Sequence, residues 1–193
     1  MSTILPITEH VLDPVQISID QFLDCAQALI HTILFYRGIE SQCEPKSIIM
    51  NGLDIAYVTS ESSENSESIR RRLIPMEEMV FQGFPDAWVI LTLSYNTSKK
   101  GWFRDVQTAD IWERWCFTFS FSVMTAREMR ETMLHAITQI TQKANSCEIP
   151  KKTGPNAVFQ YSLSLPSDKD WESSKEIVKL FHKVVKTPAT VFQ

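Results

Sequence analysis

The chain has 193 residues, 44% of them hydrophobic and 22% charged, with a formal net charge of −4 and a pI near 5.6. That size and composition suit one globular domain with its own core, and the acidic balance argues against a surface built to hold nucleic acid. No apolar run approaches the ~20 residues of a membrane-spanning helix, and the N-terminal stretch MSTILPITEHVLDP lacks the basic start and apolar centre of a signal peptide.

The first strong element is IDQFLDCAQALIHTILFYRG. Phe22, Ala26, Leu29, Ile33 and Tyr36 fall on one helical stripe, widened by Leu23, Ile30 and Leu34. Asp20, Asp24, Gln27 and His31 form a narrow polar edge. So wide an apolar surface predicts a helix at the centre of the domain. Arg37 suits the negative end of its dipole, and Gly38 offers a C-cap.

Next come short β-type pieces, Ser47 to Met50 and Leu53 to Thr59, around an Asn51-Gly52 turn. A helix is expected from about Ser63, with acidic residues ahead of Arg70, Arg71 and Arg72, and Pro75 is expected to end or kink it. DAWVILTLSY and IWERWCFTFSFSVM read as two strands. In the second, Trp115, Phe117, Phe119, Phe121 and Val123 alternate with Arg114, Cys116, Thr118, Ser120 and Ser122, which predicts one buried and one wetter face. The connection between the two strands is expected to run from Asn96 to about Asp110, well beyond the ~2–5 residues of an ordinary hairpin loop.

An amphipathic helix follows, with Thr125 and Glu128 forming a capping box and Met129, Met133, Ile137 and Ile140 its stripe. After the turn-rich EIPKKTGPN come a strand, AVFQYSLSL, and a last helix, DWESSKEIVKLFHKVVK. That helix sets Lys175, Lys179, Lys183 and Lys186 as a solvated face over a core of Ile177, Leu180 and Val184. With no βαβ alternation, the order implies an α+β domain. An antiparallel sheet packs against about three main helices, and a long exposed loop joins two strands.

Chemistry-bearing residues are few. The four histidines, His10, His31, His135 and His182, show no second histidine at ligand spacing, and no HExxH, GxSxG or P-loop is present. They read as structural or solvated. Cys25, Cys43, Cys116 and Cys147 form no CxxC pair and read as reduced cytosolic thiols. No catalytic residue, metal or cofactor is expected. The serine-rich stretch 60–68 offers hydroxyls for phosphorylation without any further signal.

The stretch KKGWFRD sets Trp102 and Phe103 side by side in the long connection. Two readings fit. The pair folds back as an apolar anchor for the loop, or it projects as a binding hot spot inside a rim of Lys99, Lys100, Arg104 and Asp105, with Gly101 allowing a tight turn.

Four stretches together resemble a known family. LIHTILFYR, LDIAYVTSESSE, KKGWF followed by IWERWCFTF, and AVFQYSLSL occur in the order seen in HORMA domains, and within that group in the autophagy-related protein 101 family. The resemblance implies a single HORMA domain over residues 1–193 with a finger loop at about 96–110. It implies a non-enzymatic scaffold that pairs with, and stabilises, the HORMA domain of autophagy-related protein 13 within the kinase complex that initiates autophagy. Trp102 and Phe103 would be the finger that recruits downstream autophagy factors, and Tyr36 and Arg37 fall in the region linked to pairing. The chain would be cytoplasmic, without nucleic-acid partner or integral membrane segment, and recruited to the autophagosome assembly site. Some members have a proline between the finger aromatics, and some have histidine where Tyr36 stands. The alternative within the HORMA group is a peptide-closing adaptor of the spindle-checkpoint or DNA-repair type, whose longer C-terminal segment closes over a peptide.

Overall fold

The computed structural model describes residues 7–39, 43–50, 53–60, 63–99, 106–150 and 158–165. Its strands are β1 (Thr8–Val11), β2 (Val15–Ile17), β3 (Cys43–Met50), β4 (Leu53–Ser60), β5 (Asp86–Lys99), β6 (Val106–Phe121) and β7 (Val158–Ser164). The helices are α1 (Phe22–Tyr36), α2 (Ser63–Phe81) and α3 (Ala126–Ser146). The architecture is α+β: a five-stranded sheet ordered β1-β6-β5-β7, with β2 also on β6, and a separate hairpin of β3 and β4.

Helix α1 is the axis of the core. Twelve of its fifteen residues are buried, which the width of its apolar stripe demanded. It lies among α2, α3, β4 and the sheet. The expected polar edge is therefore largely absent: Gln27 and His31 are inside, and only Asp20 and Asp24 stay near water. Gln27 and Thr32 meet their hydrogen-bonding needs locally, donating to the Leu23 and Ala28 carbonyls at 3.2 and 2.7 Å. The His31 ring centroid lies 6.3 Å from that of Tyr57 on β4.

Gly38 caps α1 as expected. At φ 60° it takes the left-handed conformation, donating to Phe35 O while Ile39 N–H donates to Leu34 O, both at 3.0 Å. Gly83, at φ 100°, closes α2 in the same way. Helix α2 runs on through Pro75 to Phe81, where the sequence predicted an end or kink at the proline. Pro75 faces solvent, so water reaches the acceptor its ring leaves open, while Ile69, Leu73, Met76 and Val80 hold both halves on the core. At the start of α3, Thr125 and Glu128 make the predicted capping box.

The sheet corrects the expectation in three respects. It is mixed, because β1 and β2 both pair parallel to β6. These pieces are four and three residues long, too short to show a strand period. Strands β5 and β6 are also longer than read, staying paired out to Lys99↔Val106, so the connection shrinks from 96–110 to 100–105. Thr97, Ser98 and Thr108 gave no apolar alternation, yet the ladder of backbone hydrogen bonds continues through them. Finally, β6 is buried on both faces between Trp112 and Phe117 rather than on one. The predicted last helix, residues 170–186, and the Asn51-Gly52 turn lie outside the described residues.

Candidate interaction site

Two regions carry the predicted site residues: the end of α1 and the β5–β6 hairpin. Arg37, just past α1, is 2% exposed. Its guanidinium grips Glu113 side-on, with Nε donating to Oε2 at 2.7 Å and Nη2 to Oε1 at 2.5 Å. Nη1 reaches the far side and donates to the Ala144 and Cys147 carbonyls at 2.8 and 3.4 Å, which are free acceptors at the end of α3. The planar group also lies 5.8 Å from the ring centroids of both Trp112 and Trp115. Arg37 thus joins the ends of α1 and α3 to the middle of β6.

Glu113 owes its position to a bulge. The register shifts between Leu93↔Glu113 and Ser94↔Ile111, leaving Trp112 as the extra residue. A bulge turns two consecutive side chains toward one side, which is how Trp112 and Glu113 both meet Arg37. On the other side of the carboxylate, His10 of β1 shares Oε1 at 2.7 Å, its ring centroid 4.1 Å from that of Trp115. Burial pushes the Glu113 carboxyl pKa up, but the hydrogen bonds and charges of His10 and Arg37 outweigh it and hold the group below its ordinary value.

A carboxylate with a lowered folded-state pKa contributes stability above its unfolded value, and that contribution is lost as pH falls through the folded value. Acidification below about 4.5 is therefore expected to weaken the fold through Glu113. Urea unfolding measured between pH 7 and 3 checks this: Glu113→Gln, already destabilised at neutral pH, should show a shallower acid slope than the unaltered chain.

The surface at this end of α1 belongs to Arg37's neighbours. Tyr36 is half-buried and its hydroxyl accepts from Thr141 Oγ1 at 3.2 Å, while the Phe35 ring, 45% exposed, packs edge-on against it. Of the two predicted pairing-region residues, then, Tyr36 lies at the surface and Arg37 lies beneath it. Glu113 and Trp112 were not singled out from the sequence, and His10 was named only among the histidines read as structural or solvated. The signal was there for Glu113: it shares strand parity with Trp115 and Phe117, so a charge stands where the core pattern requires an apolar side chain.

Trp102 and Phe103 lie outside the described residues; the strands that carry them are described. Strand β7 pairs with β5 only as far as Asn96, and β1 reaches β6 only at Glu113. Among the described residues, β5 and β6 continue beyond those points as a two-stranded ribbon through Thr97↔Thr108, Ser98↔Gln107 and Lys99↔Val106. At ~3.4 Å per residue those last pairs carry the hairpin on the order of 10 Å past the sheet.

Among the described residues, no group of three His, Cys, Asp or Glu is placed to hold a metal ion, and no helix is long and apolar enough to cross a membrane. A groove of about 510 Å³ between α2 and β7 is lined by Ser68, Ile69, Arg72, Tyr161 and Leu163, among others.

The family model for autophagy-related protein 101 matches residues 15–153, a span that takes in α1, the bulge at Trp112 and the whole β5–β6 hairpin. The chain belongs to the autophagy-related protein 101 family. No curated protein matches it. The match stops short of β7 and includes Arg37 and Glu113 but not His10. As a member of the autophagy-related protein 101 family, the chain is an autophagy-related protein.

Proposed function

We propose that this chain is a non-enzymatic HORMA-domain scaffold of the autophagy-initiation kinase complex. It pairs with the HORMA domain of autophagy-related protein 13, stabilises it, and presents Trp102 and Phe103 to downstream autophagy factors. It works in the cytoplasm and is recruited to the autophagosome assembly site. The observation that carries this reading is the family match across residues 15–153, which includes the hairpin. The two-stranded ribbon supports the finger: among the described residues, β5 and β6 stay paired with each other past the last residues paired to β7 and β1, up to the two positions that flank residues 100–105.

The mechanism is linkage. A partner that binds only the folded form stabilises it, by ~2.7 kcal/mol at a hundredfold excess over the dissociation constant. Pairing through the end of α1 would use Tyr36 and Phe35 as surface contacts, with Arg37 setting their position from below. Light scattering during size-exclusion chromatography tests the pairing. Mixed at micromolar concentration with the HORMA domain of autophagy-related protein 13, the chain should elute as a one-to-one complex. Two separate peaks would sink the assigned partner and favour the peptide-closing HORMA adaptor.

A further inference from the structure

Apolar exposure and negative charge coincide at one end of the domain. Strand β5 begins there at Asp86, opposite Ser120 near the end of β6, and β2 finishes beside them with Ile17 against Phe121. Helix α2 stops at the same place: Phe84 N–H donates to the Met79 carbonyl at 3.2 Å, and two residues later the chain enters β5. Helix α3 starts there too, once Ser122 to Thr125 have linked it to β6. Among the described residues six large hydrophobic side chains are exposed, and three of them, Phe81, Phe84 and Val123, belong to these few turns. Phe81 is 60% exposed, Phe84 45% and Val123 entirely. Beside Val123 lies a groove of about 380 Å³, lined by Gln16, Met124, Glu128 and Glu131 among others.

The same turns are acidic. Residues 15–21, 74–88 and 121–132 contain six carboxylates against two arginines, which accounts for the whole formal net charge of −4. Burial pushes the Glu77 carboxyl above its ordinary value; Arg70 offsets only part of this, and Asp24 and Glu78 add to it. The backbone and hydroxyl hydrogen bonds of Thr125 hold Glu128 below its ordinary value, so it stays charged. Exposed apolar side chains inside a field of one sign select their occupant. The carboxylates repel an anionic membrane surface, and a second copy presenting the same end would set like charges together.

We propose that this end docks a basic amphipathic segment of a partner protein. Its apolar side chains rest on Phe81, Phe84 and Val123, and a lysine or arginine enters the groove beside Glu128 and Glu131. The surface is remote from the regions described above. The fourteen residues of β5 set it on the order of 40 Å from the Lys99↔Val106 pair, and the fifteen of α1 set it ~20 Å from Tyr36. A segment docked here therefore leaves both regions free.

The probe is a fluorescein-labelled helical peptide with leucines on one face and lysines on the other, titrated into the full chain by fluorescence anisotropy. Saturable one-to-one binding is expected, weakening as salt rises. The same peptide with every lysine replaced by glutamate should bind at least about tenfold more weakly. Val123→Ser with Phe84→Ser should cost at least about tenfold, and Glu131→Lys should also weaken binding, while Phe35→Ser at the far end of α1 should change nothing. Val123 is fully exposed, so Val123→Ser alone spares the fold and should still lower affinity if Phe84→Ser disturbs the end of α2.

No saturable binding overturns the proposal, as does binding that Val123→Ser and Glu131→Lys leave intact, or equal binding of the glutamate peptide. Two further results would reassign the surface and overturn the proposal with it. One is attachment of the full chain to phosphatidylcholine vesicles that Phe81→Ser with Phe84→Ser abolishes. The other is a dimer in analytical ultracentrifugation that Val123→Ser dissolves.

Discussion

Arg37→Ala is expected to lower the free energy of unfolding by about 3–5 kcal/mol, the usual cost of removing one partner from a buried ion pair. Both groups are almost wholly out of solvent, so Glu113 would keep its burial penalty while losing two short hydrogen bonds. The Ala144 carbonyl would lose its donor as well, and Trp112 and Trp115 would flank a void. Against the ~5–15 kcal/mol that holds an ordinary domain together, that loss is large. Urea unfolding followed by tryptophan fluorescence measures it. Arg37→Met combined with Glu113→Leu should retain more stability than Arg37→Ala, because no buried charge is then stranded. A loss under about 1 kcal/mol for Arg37→Ala would mean that water reaches the carboxylate and that the node does not tie the helix ends to β6.

Trp102→Ala with Phe103→Ala is expected to do the reverse, sparing the fold and abolishing recruitment. Surface substitutions away from special features stay within ~0.5 kcal/mol, so the unfolding midpoint and the pairing with the partner HORMA domain should hold. An aromatic hot spot contributes about 2 kcal/mol or more, near thirtyfold in affinity. Losing both should remove detectable capture of downstream autophagy factors by the paired complex. Immobilised complex, with and without the double change, gives the comparison. A stability loss of about 3–5 kcal/mol, the size of a large core truncation, would instead show the two rings packed inward as a loop anchor.

Much of the fold was legible because periodic patterns map directly onto elements. The wide stripe of α1, the capping box of α3, the β-type pieces at Ser47 to Met50 and Leu53 to Thr59, and the aromatic alternation of β6 each have a local physical cause, and each corresponds to an element. The misreadings share a cause too. Pro75 lowers helix propensity locally, but the buried residues around it overrule that preference. Thr97 to Lys99 carry no strand pattern, and their pairing comes from the ladder already zipped behind them. The N-terminal strands are too short to signal at all and form only because β6 presents an edge to them.

The candidate site divides along the same line. Trp102 and Phe103 stood out as two large aromatics among charges, a feature of composition that needs no tertiary knowledge. Arg37 read as a dipole partner on the outside of a helix end. Its burial depends on Glu113, seventy-six positions away, and on Ala144 and Cys147 at the end of another helix. By itself the sequence determined the α+β class, the central helix and the aromatic strand, because those follow from local spacing and side-chain type. Only the tertiary structure decided that Arg37, Glu113 and His10 form one buried node and that β6 is buried on both faces between Trp112 and Phe117. Charge pairing and burial depend on distances between segments, and no local pattern contains those distances.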